Sequence, residues 1–390
     1  MSVRTYLDRA ACVATRATGD VEPNPMVGAV LVREGVVIGL GHHRRYGGLH
    51  AEREALANCR RRGNDPRGAT AFVTLEPCCH HGKQPPCTEA LIEAGIERVV
   101  YARPDPHAAS GGGAEVLQQA GIPCEFCTDS PLATHLSDPF VKRVTTGLPW
   151  VIAKWAQTAG GSLTTPEGES PWITNALSLK RVHRLRARVD AIVTGIGTVI
   201  ADDPLLTARG VRRVRRIARR VVVEGQRTLP LACQLVRSVD DGAVVVVRAF
   251  PNGTASEKSP SRKRGEAGPC ARLDASDPSL ARGAQWGIKR MCVPGVEGRI
   301  DLAAMLCQLV EQHDATTVML ECGPRLLGAF FEAGLVDEAF VYGAPDAQGH
   351  AQQEGLRGKP ARWVEALPLV RTKVLGGDVE YWYRRLFSDG

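Results

Sequence analysis

Apolar residues recur at helical spacing over residues 3–18, where Val3, Leu7, Ala10, Ala11, Ala14 and Ala17 share one face. Two short apolar runs follow, MVGAVLV and VVIGLG, parted by Arg33-Glu34-Gly35, and this pattern predicts a hairpin. Further along, the spacing predicts a helix over HAEREALANCRRRG and a buried strand at ATAFVTL. PPCTEALIEAG reads as a helix opened by proline and closed by Gly95, with a strand at ERVVYA after it. AEVLQQAG and IPCEF repeat the helix and strand. The order α-β-β-α-β-α-β-α-β places helices on a mixed sheet. Residues 128–148 break the periodicity and read as a connection between domains.

A second α/β block begins with the strand PWVIAKWAQ and passes through a Gly-rich loop to a helix over WITNALSLKRVHRLRARV, which Asn175 can cap. DAIVTGIG is a strand running into glycines. RRVVVEG, AVVVVRAF, IKRMCV, ATTVMLECG and EAFVYGA are further strands, and DLAAMLCQLVEQH and PRLLGAFFEAG are helices. The pattern divides the chain into residues 1–145 and 146–390, and the Ser-, Gly-, Pro- and charge-rich stretch 251–286 reads as a mobile insertion in the second part.

A length of 390 residues agrees with two or three domains. With 44% hydrophobic and 23% charged residues and no apolar run near the ~20 a bilayer span needs, the composition excludes a membrane protein, a fibrous repeat and wholesale disorder. Charges at Arg4, Asp8, Arg9 and Arg16 leave no apolar signal-peptide core, so the default address is the cytoplasm. In that reducing compartment, 12 cysteines favour metal or redox chemistry over disulfides. The net charge of +7 suits an anionic substrate.

Those cysteines focus attention on His50-Ala51-Glu52, which opens a helix, and on Cys78 and Cys87, which flank the step from strand to helix. One imidazole and two thiolates can hold Zn²⁺ and leave a fourth position for water, whose pKa then falls from about 15.7 to about 7. Glu52, two residues beyond His50, lies close to the metal without binding it, so it can shuttle protons from the water to leaving ammonia. This is a zinc deaminase pattern, although eight residues separate the two cysteines where the usual signature has two. The alternative is a structural zinc site with a fourth ligand from Cys79, His80 or His81, against which Glu52 argues. Cys124 and Cys127 lack the context of a redox pair and read as strand-end cysteines.

Together with Pro23-Asn24-Pro25-Met26-Val27-Gly28 and Glu76-Pro77-Cys78-Cys79-His80-His81-Gly82-Lys83-Gln84-Pro85-Pro86-Cys87, these motifs resemble the bifunctional deaminase-reductase family of riboflavin biosynthesis. The likeness continues through Gly168-Glu169-Ser170-Pro171-Trp172-Ile173-Thr174, Arg186, Thr198, Asp202-Asp203-Pro204-Leu205-Leu206-Thr207, Arg209 and Glu321-Cys322-Gly323-Pro324. It implies a cytidine-deaminase-like zinc domain followed by a dihydrofolate-reductase-like domain. It further implies deamination of a diamino-hydroxy-pyrimidine ribosylamine phosphate, then NADPH-dependent reduction of the ribosyl side chain to ribityl. On that resemblance His50, Cys78 and Cys87 bind zinc, Glu52 is catalytic, and Asn24, His80, Lys83 and Asp105 hold the pyrimidine and its phosphate. Ser170, Arg186, Leu206, Arg209 and Glu321 would contact substrate in the reductase, the two arginines suiting a phosphate through their bidentate fork. Ala156, Trp172, Thr198, Asp202, Gly225, Gly323, Pro324 and Arg325 would contact NADPH, and the resemblance also implies a homo-oligomer.

Three stretches depart from this picture or stand outside it. The family usually has Ser/Thr-Leu-Asp-Gly-Arg/Lys where this chain has Thr158-Ala159-Gly160-Gly161-Ser162, a loop expected to be more mobile and to lack a carboxylate. That departure keeps open an alternative in which only the deaminase works and the reductase is inactive or altered in substrate. The loop after Asp105-Pro106 reads His107-Ala108-Ala109-Ser110-Gly111-Gly112-Gly113, one residue shorter than the family pattern. Gly195-Ile196-Gly197, with Ile200 where a third glycine would complete a dinucleotide fingerprint, reads as a tight strand-to-helix turn. Lastly, RGVRRVRRIARR at 209–220 spaces Val211, Val214 and Ile217 by three, which predicts an exposed basic helical turn. Lacking interleaved aromatics, it reads as a solvated face with no nucleic-acid partner.

Overall fold

Ser2 accepts a hydrogen bond from the Thr5 amide and caps the first helix, α1 (Val3–Ala14), which then tightens into a single 3₁₀ turn at Thr15–Ala17. The computed structural model describes residues 1–107, 109–164, 172–250, 287–296, 299–345 and 359–387. They form two compact units, one comprising Met1–Trp150, Asp314–Thr316 and Arg385–Gly390, the other Val151–His313 and Thr317–Arg384.

In the first unit α1 is followed by β1 (Gly28–Arg33), β2 (Val36–His42), α2 (Ala51–Arg61), β3 (Thr70–Val73), α3 (Cys87–Glu93), β4 (Arg98–Tyr101), α4 (Gly113–Gln119) and β5 (Cys124–Phe126). The sheet order is β2-β1-β3-β4-β5, with β1 antiparallel to β2 and β3, and β3, β4 and β5 mutually parallel. Alternation along the strands fills two cores. Leu31, Val73 and Val99 pack with Ala55, Leu91 and Leu117 of α2, α3 and α4, whereas Val30, Phe72 and Val100 pack with Leu7, Ala10 and Ala14 of α1. Gly41 lets α2 lie directly on β2, since a Cβ there would meet the Ala55 nitrogen at 2.2 Å and the Ala51 oxygen at 2.3 Å. That close approach carries the start of α2, with His50 and Glu52, to the sheet.

Residues 128–148 are not the bare connection expected. They hold α5 (Pro131–Thr134), capped by Ser130, and α6 (Asp138–Thr146), and Ala133 and Leu136 complete the α1 core. Helices of four and nine residues are too short for helical periodicity to register. A fully buried ion pair between Arg103 and Asp138 anchors them to the loop after β4.

The second unit runs β6 (Trp150–Gln157), α7 (Ala176–Arg186), β7 (Ala191–Gly195), α8 (Ile196–Asp202), β8 (Arg219–Val223), α9 (Gln234–Arg237), β9 (Val244–Ala249) and β10 (Lys289–Val293). Then come β11 (Gly295–Val296), β12 (Arg299–Ile300), α10 (Leu302–His313), β13 (Thr317–Leu320), α11 (Pro324–Glu332), β14 (Glu338–Gly343), α12 (Lys359–Trp363), β15 (Leu369–Leu375) and β16 (Asp378–Arg384). Nine strands form one sheet in the order β10-β9-β8-β7-β13-β6-β14-β16-β15. The β10-β9, β9-β8, β8-β7, β7-β13 and β6-β14 pairs are parallel, and β14-β16 and β16-β15 are antiparallel. Asn175 caps α7 as expected, accepting from the Leu177 and Ser178 amides. The β15-β16 hairpin was not anticipated. Its turn is Gly376-Gly377, both at positive φ (60° and 102°), the geometry a two-residue hairpin loop requires.

The basic stretch 209–220 also differs from expectation. It forms no helix before β8 and follows an irregular path in which the Arg215 and Arg216 amides both donate to the Ala187 carbonyl. Arg216 pairs with Asp190, and Arg220 is fully buried, donating to Ser238 and Gly242. Two of these arginines therefore tie the backbone together rather than forming a solvated face. The stretch 251–286 lies outside the described residues.

Candidate functional site

His50 sits at the N-cap of α2, Cys78 follows β3, and Cys87 opens α3 directly after Pro86. Both Sγ atoms lie 3.4 Å from His50 Nδ1, and the three donor atoms fall within 4.8 Å of one another. The wide Cys78 to Cys87 spacing is absorbed as an excursion: the Cys87 and Thr88 amides donate to the Cys78 carbonyl at 3.1 and 3.2 Å, so the two segments touch while residues 79–86 loop outward. From the neighbouring helix Arg53 donates to the Pro85 and Pro86 carbonyls at 3.2 and 2.8 Å, holding the approach to Cys87.

One imidazole and two thiols are the donor set of a catalytic zinc site. The Cys87 thiol donates to Cys78 and, against the cost of burial and with help from His50, brings the Cys78 thiol down to about 4. A thiolate, the form that binds metal, is thus already favoured. Of the residues offered as a fourth ligand, Cys79 and His81 are engaged elsewhere, and His80 lies outside the three-donor cluster. Cys79 Sγ donates to the Gly111 carbonyl at 3.1 Å, exposed His81 pairs with Glu89 at 3.2 Å, and His80 lines the adjoining cavity. Among the described residues only His50, Cys78 and Cys87 form such a cluster, which fits an open catalytic site better than a closed structural one.

Glu52, on the first turn of α2, is 4% exposed, and burial pushes its carboxyl up to about 7. It lines a cavity of about 260 Å³ together with His50 and Cys78. The same cavity is lined by Asn24, His80, Lys83 and Asp105, all four residues expected to hold the pyrimidine and its phosphate. Lys83 Nζ lies 3.8 Å above the Tyr46 ring. His80 Nδ1 is buried without a partner at the cavity wall. Asp105 accepts from the His107 amide (2.9 Å) and the Ser110 hydroxyl (2.7 Å), and burial raises its carboxyl.

His43, which the sequence reading did not single out, is 3% exposed and lines the cavity too. Asn24 Nδ2 lies 3.2 Å from its Nε2, and its Nδ1 lies 2.9 Å from the Leu49 carbonyl. The Asn24 NH₂ group donates and the Leu49 carbonyl accepts, which makes the ring neutral and protonated at Nδ1. Burial lowers its pKa, in agreement.

In the second unit Glu321 leaves β13 and receives a two-pronged contact from Arg186, at 2.5 and 2.9 Å, and a third from Lys154 at 3.3 Å. Burial works to raise its carboxyl, but Arg186 and Lys154 outweigh that and hold it at about 2. Arg186 also donates to the Thr207 carbonyl at 3.2 Å, so its fork is directed at protein groups. Arg209 donates to Thr207 Oγ1 at 3.1 Å, and Leu206 is buried at positive φ (53°).

Gly195 caps α8 and Gly323 caps α11, and Thr198 Oγ1 accepts from the Gly323 amide at 3.1 Å. Thr198 and the Gly323-Pro324-Arg325 turn are therefore brought together, with Gly195-Ile196-Gly197 forming the tight strand-to-helix turn anticipated. Gly195 ends β7, and Gly225 and Glu321 follow the carboxyl ends of β8 and β13, the side on which open α/β sheets bind ligands. Ala156 lies near the end of β6, Asp202 closes α8, and Trp172 is 67% exposed. Ser170 lies outside the described residues. The altered Thr158–Ser162 loop is a closed turn: the Gly161 amide donates to the Thr158 carbonyl and the Thr158 amide to the Ser162 carbonyl (2.9 and 2.8 Å), with Gly161 at positive φ (85°).

A zinc site of this kind on a mixed five-stranded sheet, joined to a largely parallel nine-stranded sheet, defines a cytidine-deaminase-like domain linked to a dihydrofolate-reductase-like domain. The family model for the cytidine and deoxycytidylate deaminase zinc-binding region matches residues 1–103, and that for the RibD C-terminal domain matches residues 149–381. The chain is 34% identical over 386 residues to the riboflavin biosynthesis protein RibD of Aquifex aeolicus, covering 98% of each chain. It is 36% identical over 361 residues to that of Escherichia coli K12, covering 90% of this chain and 91% of the other. Solved structures agree: Acinetobacter baumannii RibD matches with a TM-score of 0.73 at 30% identity over 99% of both chains. A diaminohydroxyphosphoribosylaminopyrimidine deaminase/5-amino-6-(5-phosphoribosylamino)uracil reductase from Thermotoga maritima matches with a TM-score of 0.74 at 29% identity, over 98% of this chain and 99% of that one. The chain belongs to the RibD family. It is a bifunctional enzyme of riboflavin biosynthesis, a zinc-dependent deaminase and an NADPH-dependent reductase. The alternative of a deaminase alone gains no support, because the reductase match runs straight through the altered 158–162 loop.

Proposed function

We propose that residues 1–145 remove the C2 amino group of a diamino-hydroxy-pyrimidine ribosylamine phosphate in the 260 Å³ cavity, and that residues 146–390 then reduce the ribosyl side chain to ribityl. The observation that carries the first step is a buried carboxyl beside a three-donor cluster. When bound by His50, Cys78 and Cys87, zinc supplies a Lewis acid that makes water acidic enough to attack at neutral pH. Glu52 takes the proton of that water and returns it to the departing amine, and a carboxyl held at about 7 is suited to both transfers. Asn24, His80 and Asp105 orient the ring, and Lys83 meets the phosphate as a point charge.

In the second unit Arg209 meets the phosphate, Arg186, held by Glu321 and the Thr207 carbonyl, borders the same site, and Ser170, Leu206 and Glu321 place the ribosyl chain. NADPH, when bound along Ala156, Trp172, Thr198, Asp202, Gly225, Gly323, Pro324 and Arg325, supplies the hydride. Glu321 stays anionic at every working pH, so it orients Arg186 and Lys154 and gives up no proton. No helix among the described residues is long and apolar enough to cross a membrane, and the proposal places the enzyme in the cytoplasm as a homo-oligomer, with no nucleic-acid partner.

Turnover of the diamino-pyrimidine substrate with and without NADPH tests both halves. Ammonia should appear without NADPH, and NADPH absorbance should fall only once the deaminated intermediate is present. NADPH loss without prior ammonia release, or no ammonia at all, sinks the proposed order.

A further inference from the structure

Glu76 stands between β3 and the ligand Cys78, is 8% exposed, and has no part in the chemistry described above. Its carboxylate is spent on two backbone amides: Oε2 accepts from Asp105 N at 3.1 Å and Oε1 from Ala114 N at 2.9 Å. Its own amide donates to the Arg103 carbonyl at 2.8 Å. One side chain thus holds both ends of the segment 105–114, whose described residues have no regular structure before α4 begins at Gly113. Ala114 lies in the first turn of α4, where free N–H groups and the helix dipole favour an anion.

The segment is also seated on the metal-binding strand end. The Cys79 amide donates to the Ser110 carbonyl at 3.4 Å, and a Cβ on Gly113 would meet the Pro77 carbonyl oxygen at 1.7 Å. What it presents to the cavity is polar: Asp105, His107 and Ser110 all line it. The Asp105 carboxylate is bound to the other two, so the three move as one surface.

We propose that Glu76 is the positioning residue for this polar wall, and that it governs how tightly the deaminase holds its substrate without taking part in proton transfer. The inference rests on the deaminase reading of the cavity. A carboxylate is required because both oxygens must accept. Glutamine would turn an NH₂ donor toward one of the two amides, and aspartate is a methylene short of spanning them.

The test uses the full-length, zinc-loaded protein with Glu76→Gln, and Glu76→Asp as the variant that keeps two acceptors. Zinc stoichiometry and NADPH oxidation on the deaminated intermediate should equal wild type and serve as controls for folding. The KM for ammonia release should rise about tenfold in Glu76→Gln, the size expected for a lost hydrogen bond to a charged group, with kcat within about twofold. Glu76→Asp should fall between. Amide hydrogen exchange should accelerate over residues 105–114 and stay unchanged in α1. An unchanged KM with unchanged exchange overturns the proposal, and so does loss of zinc with collapse of kcat, which would make Glu76 part of the metal frame. If wild type releases no ammonia from this substrate, the deaminase reading fails, and hydrogen exchange alone decides whether Glu76 holds the wall.

Discussion

Two buried carboxyls, Glu52 and Glu321, are pushed in opposite directions by their surroundings. Burial, with the Cys78 thiolate adding to it and His50 opposing it only in part, lifts Glu52 to about 7, whereas Arg186 and Lys154 overcome burial and bring Glu321 to about 2. Glu52→Gln keeps the shape but removes the proton acceptor, so ammonia release should drop by about two to four orders of magnitude while metal analysis still finds zinc. Full turnover in that variant would rule out the shuttle. For Glu321 the folded pKa lies below the ordinary 4.5, so its stabilisation is present above about pH 4.5 and is lost as pH falls through about 2. Denaturant melts of wild type between about pH 5 and pH 2 should show that loss, and Glu321→Gln should flatten it; parallel curves would refute the assignment. His50, Glu52, Cys78 and Cys87 were legible in the sequence because metal and proton chemistry dictate residue type at fixed spacing. His43 and the role of Glu76 were not, because His43 is held by the Asn24 side chain and the Leu49 carbonyl and Glu76 by the amides of Asp105 and Ala114, pairings that a sequence pattern does not record. The signals available were faint: a second histidine at the end of β2 and an acidic residue just before the ligand cysteine.

At the level of elements, the excursion between Cys78 and Cys87 brings His80 and Lys83 to the cavity while leaving the ligand geometry closed by two backbone hydrogen bonds. Arg53 is the one side chain shown fastening the end of that excursion to α2. Arg53→Ala should therefore weaken zinc binding by about tenfold to a hundredfold, as losses of outer-shell support do, in competition with a chromophoric chelator. Unchanged affinity would show that the paired backbone alone suffices. α2 was legible from its helical period, and β3 and β14 from their continuous apolar runs. The short helices α5 and α6 were missed because four and nine residues carry too little of a helical period to register. β15 was missed because its exposed surface, with Lys373 and Arg371 among Leu369, Val370 and Val374, shows no buried alternation. The 209–220 stretch misled for a different reason: its threefold spacing of apolar residues is real, but Arg216 and Arg220 are recruited by Asp190 and by carbonyls, interactions that compete with a helix.

For the whole molecule, the His50, Cys78 and Cys87 cluster proposed to hold zinc lies in one unit and the Glu321 network in the other. Stripping zinc with a chelator should abolish ammonia release and leave NADPH oxidation on the deaminated intermediate within about twofold, measured by absorbance on the same sample. Parallel loss of both activities would mean that the metal supports more than its own unit. The broad division into two α/β halves was readable from the alternation of helix and strand patterns. What those patterns could not reveal is that the chain returns: Asp314–Thr316 and Arg385–Gly390 belong with the first unit. The Trp150 amide donates to the Thr316 carbonyl, Arg143 pairs with Asp314, and Arg103 donates to the Phe387 carbonyl. Anyone excising a stand-alone deaminase by stopping the gene after codon 150 would therefore remove three of its own bonding partners, and silencing the reductase by point substitution is the cleaner way to separate the two activities.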